Sequence, residues 1–139
     1  ILDKVAKDNP VKIIIKPHPT IKNCTDQLKE NFNNLSFSNN SIDLLLKKSS
    51  LVISYSSSVI EDALNSFTPV ILFDKENRYM HLNSNKNSNK PLALNYISSE
   101  LSLVNIIKKL NSRTKEDFRE HIFLSDFKNN IKKNILPLL

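Results

Sequence analysis

Apolar positions along this chain follow two alternating rhythms. Short β-branched runs give way to segments whose apolar residues recur three and four positions apart, and polar punctuation separates them. Val11–Lys16 reads as a buried strand, and the charge-free Leu51–Tyr55, Leu35–Ser38, Val70–Phe73 (opened by Pro69) and Ala93–Ile97 read as four more strands. Between them the period lengthens to that of a helix. Residues 1–8 read as a helix ended by Asn9-Pro10, and Asn23 to Phe32 as one with Asn23 as N-cap and Asp26 in its first turn. Ser41–Lys48 is a short helix with Ile42, Leu45 and Leu46 apolar, and Val59–Phe67 is one whose Val59, Ala63, Leu64 and Phe67 share a face. Glu100–Leu110 turns Leu103, Val104, Ile107 and Leu110 inward. Thr114 to Leu124, opened by a Thr114/Asp117 capping pattern, and Phe127–Ile135 complete the helices. Residues 74–91 break the rhythm with a polar stretch rich in Asn, Ser and Lys, the longest candidate loop. Strands alternating with helices predict βαβ units: an α/β domain with a Rossmann-like, doubly wound parallel sheet of about five strands and C-terminal helices.

Composition narrows this picture. A chain of 139 residues, 40% hydrophobic, is expected to fold as one globular domain spanning 1–139. No apolar run approaches the roughly 18 residues of a membrane span. The Lys-flanked N-terminus lacks the apolar stretch and small-residue cleavage site of a signal peptide, and these features point to the cytoplasm. The first residue is Ile1 rather than Met, and we expect a segment of a longer polypeptide. Cys24 is the lone cysteine, which excludes a disulfide framework; with three scattered histidines, no metal site is expected. Glycine is absent. Neither a G-x-G-x-x-G fingerprint nor a Walker P-loop can therefore exist, and any phosphate would be held by helix N-termini, hydroxyls and cationic side chains. Helix ends would close on Asn or Ser in place of Gly.

The net charge of +6 is unevenly distributed. Residues 1–74 carry eight basic and eight acidic side chains, whereas 105–139 carry eight basic against four acidic. Such a basic tail suits a solvated face, an anionic membrane surface or nucleic acid. Phe118, Phe123 and Phe127 fall at helical spacing and read as core rather than as stacking platforms, so nucleic acid is not an expected partner.

Two polar motifs stand where strands should end, which in an open parallel sheet is where ligands bind. Ser56-Ser57-Ser58 lies between a strand and a helix, placing hydroxyls and free N–H groups at a helix N-terminus suited to phosphate. Ser58-Val59-Ile60-Glu61 is also a good capping box, which needs only one of the three serines. Lys16-Pro17-His18-Pro19 follows the first strand. Its prolines hold His18 in extended backbone, so a rigidly aimed imidazole stands near a lysine and can hydrogen-bond or protonate a phosphate oxygen. The same residues also describe a proline-rich turn with an exposed histidine. Asp43, at the start of the short helix before the serine strand, could accept from ribose hydroxyls or simply complement the helix dipole. His81 and His121 have no comparable setting.

Together these residues resemble the C-terminal, donor-binding domain of GT-B-fold glycosyltransferases that use cytidine-nucleotide donors, the bacterial sialyl-, polysialyl- and Kdo-transferases of capsule synthesis; the teichoic-acid glycerophosphotransferases are similar. The resemblance rests on Lys16-Pro17-His18-Pro19, then Ser56-Ser57-Ser58-Val59-Ile60-Glu61-Asp62-Ala63, then Thr68-Pro69-Val70-Ile71-Leu72-Phe73, and spans about residues 11–74. It implies the donor half of a two-domain enzyme for surface polysaccharide, cytoplasmic or peripheral to the inner face of the plasma membrane. His18, the one catalytic candidate, would contact the donor phosphate with Lys16, Ser56, Ser57 and Ser58, and Asp43 and Glu61 would lie towards the ribose or base. The donor would be CMP-linked, with no metal or other cofactor. The acceptor glycan and the general base would belong to a further N-terminal domain. Asn65-Ser66-Phe67 departs from the family, which often has a Gly-containing turn there. The alternatives are a CDP-polyol phosphotransferase and a non-catalytic nucleotide-binding or interaction module.

Overall fold

The computed structural model describes residues 1–18, 25–76, 78, 92–109 and 118. The chain divides into two compact units, Ile1–Ser41 and Ile42–Leu139.

The first unit opens on helix α1 (Leu2–Asp8), with Val5 buried. Asn9 ends it in extended backbone (φ −137°, ψ 151°), as the following proline demands, and its Nδ2 donates to the Val5 carbonyl at 2.9 Å. Strand β1 (Ile13–Ile15) pairs in parallel with β2 (Leu35–Phe37), Ile13 opposite Leu35 and Ile15 opposite Phe37, and helix α2 (Thr25–Asn31) joins them. Asp3 accepts from both the backbone N–H (2.9 Å) and Nδ2 (3.1 Å) of Asn34, tying α1 to the start of β2. The first strand, read from sequence as buried, is only half-buried. Ile13 and Ile15 share one face, and Ile14 is exposed on the other, as strand alternation requires. Asn23, expected to cap α2, lies outside the described residues.

The second unit contains helix α3 (Ile42–Leu46), β3 (Val52–Ser54), helix α4 (Val59–Asn65), β4 (Val70–Phe73), β5 (Leu94–Ile97) and helix α5 (Glu100–Lys108). Its strands form one parallel sheet in chain order, β3-β4-β5. Val52 faces Val70, Val70 faces Leu94 and Leu72 faces Tyr96. The shared face of Val70, Leu72, Leu94 and Tyr96 joins Ile60, Ala63 and Leu64 of α4, with Leu46, Ala93 and Phe118, in the core. Ile71, Asn95 and Ile97 on the opposite face are also fully buried, so the central strands are covered on both sides, as parallel strands require. Fully burying each such aliphatic side chain contributes about 1.5–3 kcal/mol. The buried residues of α5 are Leu103, Ile106 and Ile107; Val104, expected inward, is half-buried, and Leu110 lies outside the described residues.

Helix α4 stops two residues earlier than its periodicity predicts. Thr68 N–H reaches back to the Ala63 carbonyl (2.8 Å) and Phe67 N–H to that of Leu64 (3.0 Å), the bonding of a Schellman ending. Phe67, expected on the buried face, instead adopts φ 55° and is half-exposed, and Ile60 takes its place in the core. Its ring meets that of Phe118 edge-on, with centroids 5.8 Å apart.

The expected α/β class is present, with five strands among the described residues and parallel pairing within each sheet. They do not form the expected single five-stranded sheet: β1 pairs with β2 alone, and β3, β4 and β5 make a separate three-stranded sheet. Apart from Phe118, the two C-terminal helices expected from sequence fall outside the described residues, as do Phe123, Phe127, His81 and His121.

Candidate functional site

Parallel strands all end at one edge of their sheet. In the second unit that edge collects the polar residues that follow each strand: Tyr55–Ser58 after β3, Asp74 after β4, and Ser98 and Ser99 after β5. Ser56 and Ser58 are exposed, and Ser57 is half-buried. The serines divide their work differently from the capping-box expectation. Ser58 is itself helical (φ −60°, ψ −16°) and makes no side-chain cap bond. Ser57 fills that role from one residue earlier: its Oγ accepts from Val59 N–H at 3.3 Å and its carbonyl from Ile60 N–H at 3.0 Å. The expected reciprocal Ser58/Glu61 box is therefore not formed, because a cap needs its side-chain oxygen on a residue still outside the helical region. Glu61 is exposed in the first turn of α4, and Asp43 is exposed in the first turn of α3.

Lys16 and His18 follow β1 in the first unit. Both are exposed, with Pro17 half-buried between them. Among the expected site residues, then, the second unit gathers Ser56, Ser57, Ser58 and Glu61 around the start of α4, and the first unit holds Lys16 and His18 together.

Sequence reasoning missed Asp74 and Tyr96. Asp74 is only 4% exposed, at the carboxyl end of the central strand. Its Oδ1 accepts from Glu76 N–H at 3.1 Å, and its Oδ2 accepts from Arg78 N–H at 2.6 Å and from the Tyr96 hydroxyl at 3.1 Å. Burial pushes the Tyr96 hydroxyl above its ordinary pKa of 10.0; its hydrogen bond to the Asp74 carboxylate and that carboxylate's negative charge add to the effect. The signal for Asp74 was available, since it directly follows an uninterrupted apolar strand, the position that singled out the serines. The signal for Tyr96 was not, because its partner lies 22 residues away. Around this hub, two exposed ion pairs decorate the edge: Lys75 with Glu100 at 3.1 Å and Arg78 with Glu76 at 3.0 Å.

Among the described residues no group of three or more His, Cys, Asp and Glu side chains could hold a metal ion, and no helix is long and apolar enough to cross a membrane. No known family model, curated protein or solved structure matches the chain.

Proposed function

We propose that the chain is an α/β donor-binding domain of a GT-B-type glycosyltransferase, taking a nucleotide-activated sugar, CMP-linked in the first instance, for surface polysaccharide synthesis. The observation that carries this reading is the hydroxyl-rich turn at the carboxyl edge of the β3-β4-β5 sheet, in which Ser57 does the capping and the exposed Ser56 and Ser58 hydroxyls stand beside it. An edge of this kind is where open α/β sheets take ligands. Hydroxyls and amides aimed at a phosphate would neutralise the charge that builds on the departing nucleotide when an acceptor hydroxyl attacks the anomeric carbon. The resemblance alone assigns His18 and Lys16 to that ligand, and no residue of this chain is named as the base.

Thermal denaturation with CMP, CDP, UMP and UDP tests the proposal. At a nucleotide concentration a hundred times Kd the expected stabilisation is about 2.7 kcal/mol, with the cytidine nucleotides ahead of the uridine ones. Ser56→Ala and His18→Ala are each expected to weaken the shift. Absence of any shift at millimolar nucleotide would sink the donor reading, and an unchanged shift in His18→Ala would remove that residue from the site.

A further inference from the structure

We propose that Asp74 and Tyr96 are positioning residues of the nucleotide site, fixing the backbone of Glu76 and Arg78 so that Arg78 presents its guanidinium to the ligand's phosphate; this rests on the donor-domain reading above. The strand registers locate the hub. Ser54 faces Leu72 and Phe73 faces Ile97, and Asp74 N–H still bonds the Ile97 carbonyl at 2.9 Å. Asp74 thus directly follows the central strand, and the serine turn follows its neighbour β3, so the hub and the serine turn leave the same edge of one sheet on adjacent chain segments.

A buried carboxylate is costly unless its oxygens are hydrogen-bonded. Asn, Asp and Ser side chains commonly serve turns, but this carboxylate lies beneath the surface, and three donors among the described residues reach it. Oδ1 takes the Glu76 N–H, while Oδ2 takes the Arg78 N–H and the Tyr96 hydroxyl. The Tyr96 ring is fully buried in the core of the second unit, so the hub ties the backbone of Glu76 and Arg78 to a rigid strand. The backbone of Arg78 is thereby fixed while its side chain stays 66% exposed, paired with an equally exposed Glu76. Such a surface pair is weak. A phosphate that accepts from the planar guanidinium through two oxygens at once competes with a carboxylate held in so exposed a pair.

The experiment is calorimetric titration of the whole chain with CMP and CDP, comparing the parent with Tyr96→Phe and Arg78→Ala, with ligand-free melting recorded in parallel. Loss of a charge-assisted contact predicts roughly tenfold weaker binding in Arg78→Ala, with ligand-free melting unchanged and partial recovery in Arg78→Lys. Tyr96→Phe keeps the ring and loses only the hydroxyl; it is expected to bind about three- to tenfold more weakly at temperatures where it is fully folded. Parental affinity in either variant overturns the proposal and leaves the hub as a turn anchor only. A parent that binds neither nucleotide overturns the donor reading itself. Should Tyr96→Phe fail to fold, Arg78→Ala decides, since its exposed side chain contributes little to the fold.

Discussion

Phe67 occupies a backbone region that glycine usually supplies, in a chain with no glycine. The left-handed conformation costs a residue with a Cβ about 1–2 kcal/mol. The chain accepts this because the Schellman bonds of Phe67 and Thr68 satisfy the end of α4, and because the edge-on contact with Phe118 returns about 0.5–1.5 kcal/mol. Both Phe67→Gly and Phe67→Ala lose the ring, but only glycine escapes the Cβ penalty. Urea denaturation is therefore expected to find the glycine variant the more stable by about 1 kcal/mol, the reverse of the usual order of these two residues. Alanine equal to or above glycine would rule out the left-handed assignment. Sequence could not reveal this residue, since propensity assigns that conformation to Gly or Asn and reads a Phe at the end of an apolar stripe as core. Asp74 was half-legible for a related reason: its place after a strand is a local feature, whereas its buried partner is not.

At the level of elements, helix starts show how much local pattern can and cannot fix. Ser99 is an extended N-cap (φ −108°, ψ 143°) whose Oγ accepts from Ser102 N–H at 3.1 Å, and α5 begins at the residue predicted for it. Ser58 is already helical and caps nothing with its side chain. Ser99→Ala should therefore cost about 1 kcal/mol of stability and Ser58→Ala only a few tenths, as read from denaturant midpoints; equal costs would contradict the one-residue displacement of the cap to Ser57. Three consecutive serines leave the register of a cap undetermined in the sequence, whereas Ser99 is followed directly by a periodic apolar stripe. The strands were legible to within a residue or two, since β-branched runs bounded by proline and polar residues have few other uses. Val70–Phe73 was read with its boundaries intact, helped by Pro69 before it and Asp74 after it.

Across the molecule, the local rhythm conveyed the alternation of strands with helices and the parallel pairing among the described residues, but not the division into sheets of two and three, because pairing is decided by contacts distant in sequence. The second unit holds the larger buried core, and that asymmetry has a measurable side. Leu72→Ala, emptying a fully buried position in the central strand, should cost about 2–5 kcal/mol, while Leu101→Ala on the exposed side of α5 should stay within about 0.5 kcal/mol. Comparable losses in urea midpoints would mean that the core is not where these residues place it. The chain-order sheet also bears on how the unit comes into being. When β4 is synthesised its partner β3 already exists, separated by little more than α4, and β5 then adds to an edge that is already formed. The entropy of closing a loop is thus met one crossover at a time, so assembly can follow the direction of translation, each new strand after β3 meeting a neighbour already made.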